Sequence, residues 1–129
     1  MIKQIKSSEI QNFIKENSNV VLLDVRTENE WNSLGKPNAE DLNSKTYFVT
    51  VSHDLSNWQI PDENFIVNVK KKINKDKKIL VMCAAGGRSM IAANLLETEG
   101  YSVLNVSDGY SGNSQDPGWK KSNLPVDYS

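Results

Sequence analysis

Two stretches of the chain, VVLLDV at residues 20–25 and KKILVM at residues 77–82, carry aliphatic runs with no alternation of apolar and polar residues. A strand with one wet face alternates, so an unbroken aliphatic run of this length must be covered on both sides. Helix-like segments surround both runs. Residues 8–17 place Ile10, Phe13 and Ile14 at helical spacing, with Ser7 or Ser8 available as a cap. TENEWNSLG starts on a capping residue, Thr27, and ends at Gly35, which suits a short helix. Residues 65–73 read as a helix, and residues 89–99 as another that stops at Gly100, with Ile91 over Leu95 and Ala92 over Leu96 forming an apolar face. KTYFVTV (45–51) and YSVLNV (101–106) read as further strands, and DLSNWQIPDEN (54–64) as a long loop that Pro61 keeps from becoming helical. Strands alternating with helices predict an α/β fold: one domain over residues 1–129, with a mainly parallel central sheet and helices on both faces.

Composition narrows the function. With 129 residues, 38% hydrophobic and 24% charged, the chain has enough apolar material for one core. A net charge of -1 gives no overall attraction for nucleic acid or an anionic membrane. Neither a signal-peptide apolar core nor a run long enough to span a membrane is present, so a cytoplasmic location is expected. Six lysines between Lys70 and Lys78 read first as a solvated helix end and second as a docking patch for an acidic carrier or RNA. With a single cysteine no internal disulfide forms, and Cys83 with His53 is too short a list for an ordinary metal site. No cofactor is expected.

The cysteine itself is the candidate for chemistry. It follows the KKILVM strand and opens the loop CAAGGR, after which the next helix begins. In an open α/β sheet, this carboxyl edge of a central strand is where binding sites gather. Gly86 and Gly87 let consecutive amides converge on one centre, and a helix N-terminus adds the positive end of its dipole, an arrangement that favours a thiolate on Cys83. Arg88 supplies a guanidinium able to hold an oxyanion by two parallel bonds. The competing reading is a buried inert cysteine before an ordinary glycine turn; it leaves the two glycines and the arginine without a purpose.

Three segments, in order, carry a resemblance: LLDVRTENEW (22–31), CAAGGRS (83–89) and GYSGNSQDPGWKKSNLPV (109–126). The first resembles an Asp-Val-Arg segment followed by a Glu-aromatic pair, the second a Cys-x-x-Gly-x-Arg loop, and the third a closing tail with a Gly-rich turn, a tryptophan and Leu-Pro. Together they resemble the rhodanese-like sulfurtransferase family. GKPNA (35–39) departs from that family's usual segment in being shorter and lacking a histidine. The resemblance implies transfer of sulfane sulfur through a persulfide on Cys83, from thiosulfate or a persulfide donor to a thiol or cyanide, with a sulfur-carrier protein as a further partner. By matched position Ala84, Ala85, Gly86, Gly87, Arg88 and Ser89 would hold the donor or the terminal sulfur.

Rival readings remain beside it. Cysteine phosphatases and arsenate reductases of related fold use a wider loop, whereas four residues separate Cys83 from Arg88 here. A redox sensor or an interaction module would also use such a domain. A cysteine protease would need His53 as its base. Among supporting residues, Asp24 at a strand end is read as fixing the active loop by accepting backbone hydrogen bonds. Arg26 is expected to pair with Glu30 four residues on. Trp31, Trp58 and Trp119 read as packing anchors, with Trp58 the one placed to line a pocket mouth.

Overall fold

The computed structural model describes residues 1–128. In chain order the elements are β1 (Lys3–Ile5), α1 (Ser7–Glu16), β2 (Val20–Asp24), α2 (Glu28–Leu34), β3 (Lys36–Pro37), β4 (Thr46–Phe48), α3 (Phe65–Lys70), β5 (Lys78–Met82), α4 (Gly87–Thr98), β6 (Ser102–Val106) and β7 (Val126–Asp127). Short 3-10 turns occupy Ala39–Leu42 and Leu55–Asn57. The main sheet has the order β1-β6-β5-β2-β4 with every pair parallel, and β3 with β7 makes a small antiparallel pair.

The two aliphatic runs lie side by side as β2 and β5, in register from Val20 opposite Lys78 to Asp24 opposite Met82. Because successive side chains point to opposite faces, each run feeds two cores. Val21, Leu23, Ile79 and Val81 join Phe65 and Val69 of α3 and Ala92, Ala93 and Leu96 of α4. Val20, Leu22, Leu80 and Met82 join Ile10 of α1 with Ala39, Tyr110 and Trp119. Each fully buried aliphatic contributes roughly 1.5–3 kcal/mol, and both layers are required because a strand buried on one side only would leave its other aliphatics in water. The α/β architecture with a parallel sheet and helices on both faces is therefore present.

Several boundaries differ from the sequence reading. Helix α1 is capped at Lys6, whose N–H donates to Glu9 Oε1 at 2.9 Å. Ser7 is the first helical residue, and its N–H and hydroxyl donate to the buried Asp108 carboxylate at 2.9 and 3.0 Å. Helix α4 begins at Gly87, two residues ahead of Ser89, so the arginine expected in a loop lies in the first helical turn. Of its apolar stripe, Ala92 and Leu96 are buried and Ile91 and Leu95 only half-buried. The N-terminal strand β1 and the β3–β7 pair carry no aliphatic run and were not expected. Thr27 caps α2 through reciprocal bonds with Glu30, and Gly35 at φ +93 closes it. Within the lysine patch Lys70 pairs with Glu99 at 2.8 Å, and the Lys75 and Lys78 ammonium groups lie 5.9 and 5.6 Å from the Tyr101 and Phe13 ring centres. No helix of the described residues is long and apolar enough to cross a membrane.

Candidate active site

Cys83 is the first residue beyond β5. The chain around it is held from outside: the Cys83 carbonyl accepts from the Tyr110 N–H at 2.8 Å, and the Ala84 carbonyl from the Ser111 N–H at 2.9 Å. This is the work of the Gly-rich tail, which meets the loop so closely that Gly109, at φ +58, has no room for a Cβ beside the Ala84 carbonyl. Asp108 anchors the tail by accepting from Ser7 and from the Gly118 N–H at 3.0 Å.

Within the loop the two glycines have different tasks. Gly86 sits at φ +106, where a Cβ would lie 2.5 Å from the Ser107 carbonyl oxygen, and this turn lets its N–H donate to Cys83 Sγ at 3.1 Å. Gly87 starts α4, and a Cβ there would press on the Trp58 indole at 3.3 Å. The first-turn amides of α4 lack intrahelical acceptors, as in any helix, and add positive potential near the sulfur. Cys83 is only 1% exposed. It lines a cavity of about 210 Å³ together with Trp58, Ala84, Ala85, Gly87 and Arg88.

Arg88 does not extend a free fork into this cavity. Its two terminal nitrogens donate to the two carboxylate oxygens of Glu30 at 2.7 and 2.8 Å. Glu30 also accepts from the Thr27 N–H and hydroxyl at 3.1 and 3.0 Å. Burial opposes its ionisation, but the Arg88 fork and the Thr27 N–H outweigh burial and hold its pKa at about 2. Glu30 in turn raises the Arg88 pKa.

The expected Arg26–Glu30 pair is therefore not formed. Arg26 is fully buried and donates to Asp24 through its backbone N–H (3.0 Å) and its guanidinium (2.8–3.1 Å). Its guanidinium also donates to the Gly35 carbonyl at 2.9 Å and lies 4.0 Å over the Tyr110 ring. A carboxylate two residues away reaches the guanidinium with no helix in between, so Arg26 turns inward rather than along α2. Burial pushes the Asp24 carboxyl up, against the pull of Arg26. The backbone bond that the Asp24 carboxylate accepts comes from Arg26 and not from the active loop.

Ser89 donates its hydroxyl to Asn105 Oδ1 at 2.5 Å, so its side chain faces β6. Asn105 Nδ2 donates on to Gln4 Oε1 at 2.8 Å and to the Gly86 carbonyl at 3.4 Å. His53 lies outside the Cys83 cavity: its Nε2 is 2.9 Å from Asp62 Oδ2, and it lines a separate space of about 330 Å³ with Thr27, Glu30, Leu34 and Leu55. A cysteine–histidine pair for acyl transfer is thus not assembled. The sequence reading missed Glu30 as the partner of Arg88 and Asn105 as the support of Ser89 and Gly86. A lone asparagine inside the aliphatic YSVLNV strand was the available signal for the second.

The rhodanese-like domain family matches residues 7–116. The chain is 38% identical over 126 residues to the uncharacterized protein RP600 of Rickettsia prowazekii, covering 97% of each. Its fold is similar to that of Rv0390 from M. tuberculosis, with a TM-score of 0.82, 25% identity and 98% of both chains covered. It is also similar to a Rhodopseudomonas palustris protein of unknown function described as a possible tyrosine phosphatase, with a TM-score of 0.62, 22% identity, and 97% and 84% of the two chains covered. The match over residues 7–116, with the cysteine loop and its buttressing tail, shows that the chain belongs to the rhodanese-like domain family.

Proposed function

We propose that this protein is a sulfurtransferase that carries sulfane sulfur as a persulfide on Cys83, in a reducing compartment such as the cytoplasm. The observation that carries this reading is the Gly86 N–H directed at Cys83 Sγ, at the N-terminus of α4 and beside a cavity of about 210 Å³ that Cys83 lines. The Cys83 thiolate attacks the outer sulfur of a donor, the donor's S–S bond breaks, and the remainder leaves with the electron pair. An acceptor such as cyanide then attacks the terminal sulfur, and the Cys83 thiolate leaves as thiocyanate forms. Ala84 to Arg88 supply amides around the transferred atom. Four residues between Cys83 and Arg88 give a ring suited to one sulfur rather than to a phosphoryl group with three oxygens.

The test is intact mass after exposure to thiosulfate or to benzenethiosulfonate, followed by cyanide. The wild type should gain the mass of one sulfur atom and lose it to cyanide, and Cys83→Ser should gain none. A wild type that gains no sulfur from either donor overturns the proposal.

A further inference from the structure

A sulfane-sulfur donor brings two parts to Cys83, the sulfur that is transferred and the group that departs. The amides of the loop meet the first, so the cavity mouth selects the second. The departing part of thiosulfate is sulfite, and an anionic group of that kind is recognised through an unpaired guanidinium or ammonium. Among the described residues lining this cavity Arg88 is the one cation, and Glu30 takes both ends of its fork at 2.7 and 2.8 Å. The pair as a whole is neutral.

The rest of the wall is apolar: the Trp58 indole, the methyls of Ala84 and Ala85, and Gly87. Trp58 is held from several directions. Its carbonyl accepts from the buried Ser52 hydroxyl at 2.7 Å, its ring rests against Gly87, and the Asp62 N–H closes the base of its loop on the Val51 carbonyl at 2.6 Å. Asp54 stiffens the turn before it by accepting from the Ser56 N–H and hydroxyl at 3.0 and 2.6 Å. The same loop exposes Leu55 and Ile60, at 49% and 69%. An indole packed against Gly87 beside a neutralised arginine favours a leaving part with an apolar group and a single charge over a doubly charged one.

We propose that Glu30, by closing the Arg88 fork, and Trp58, by walling the cavity, make Cys83 selective for small donors whose departing part carries an apolar organic group and at most one charge, with thiosulfate, which releases doubly charged sulfite, a poor donor. This rests on the sulfurtransferase reading. With benzenethiosulfonate the thiolate forms a bond to the sulfane sulfur, the bond to the sulfonyl sulfur breaks, and benzenesulfinate leaves with the electron pair. Cyanide then removes the sulfur as thiocyanate and restores the thiolate.

The experiment measures kcat/KM for benzenethiosulfonate and for thiosulfate with cyanide as acceptor, each divided by that donor's uncatalysed rate with a small thiol. The normalised ratio should favour benzenethiosulfonate by about tenfold or more. Glu30→Gln keeps an acceptor for Thr27 but frees Arg88 from a full charge, and should raise the thiosulfate value about tenfold. Trp58→Ala should lower the benzenethiosulfonate value about tenfold, chiefly through KM, and the thiosulfate value less. A wild-type ratio near or below one, or a ratio that neither variant moves, overturns the proposal. Should Glu30→Gln fail to fold, the wild-type ratio and Trp58→Ala decide. If neither donor loads Cys83, the sulfurtransferase reading falls and takes this selectivity with it; if both load equally well, the selectivity alone falls.

Discussion

Arg26 and Arg88 are both buried and both bound to a carboxylate, yet they do different things because of where the carboxylate comes from. Arg26 takes Asp24, two residues away, and its guanidinium is then shut in by the Gly35 carbonyl and the Tyr110 ring. That assembly lies buried at the end of β2, with Arg26 Nη1 left without a hydrogen-bond partner among the described residues. Arg88 takes Glu30, 58 residues away, so its pair joins the first turn of α2 to the first turn of α4 beside Cys83. A local pair fixes one strand end; a distant pair fixes the relation between two elements that border a cavity. The first belongs to folding and the second to the site.

The sharpest way to break the comparison is to remove each guanidinium. Arg26→Ala leaves the Asp24 carboxyl buried without its partner and uncovers the Tyr110 face, a loss of about 3–5 kcal/mol. The urea midpoint should fall accordingly or the protein should fail to fold. A change of less than about 1 kcal/mol would mean that water replaces the guanidinium and that this pair is not a closed unit.

Much of this contrast was out of reach of the sequence, for a physical reason. Runs such as VVLLDV and KKILVM report burial directly, so the parallel sheet and its two helical layers could be read from them. CAAGGR could be read because a cysteine, two glycines and an arginine sit together in the chain. Charge pairing is different, since local spacing rules offer Arg26 and Glu30 as i, i+4 partners and say nothing about Arg88. Only the parallel packing of β2 beside β5 brings the starts of α2 and α4 together, and then the shorter reach to Asp24 takes Arg26 away from Glu30. The start of α4 was misplaced for a similar reason: glycine is a poor helix former, and only the turn at Gly86 shows that Gly87 already belongs to the helix. β1 is three residues, KQI, with no pattern of its own, and exists because β6 offers it an edge.

Removing the other guanidinium should have a smaller effect on stability and a larger one on turnover. In Arg88→Ala, Glu30 keeps its two bonds from Thr27, so the loss should be about 1–3 kcal/mol. Sulfur transfer should drop by more than about tenfold, because the turn that carries the Gly86 and Gly87 amides loses its tie to α2. Arg88→Lys retains charge but not the two-pronged contact, and should recover only part of the activity. Equal activity in Arg88→Lys and wild type would show that charge alone, and not the α2–α4 tie, is what Arg88 supplies.

The smallest expected effect separates the two pairs by pH. Glu30 has a folded pKa of about 2, below its ordinary value of 4.5, so its contribution is fully present above the ordinary value and fades as pH falls toward 2. Asp24 is shifted the other way by burial, so any stability that its titration contributes is lost as pH rises through its folded value. Acidification from about pH 5 to about pH 3 should therefore weaken the wild type by on the order of 1–2 kcal/mol through Glu30, after discounting for its partial contact with solvent. The check is the urea midpoint of wild type and Glu30→Gln across that interval. The variant should start lower and show a flatter acid limb, because the group that binds a proton there is gone. Parallel limbs would place the acid sensitivity in other carboxylates and would mean that the bond between α2 and α4 is no stronger in the folded protein than an exposed ion pair.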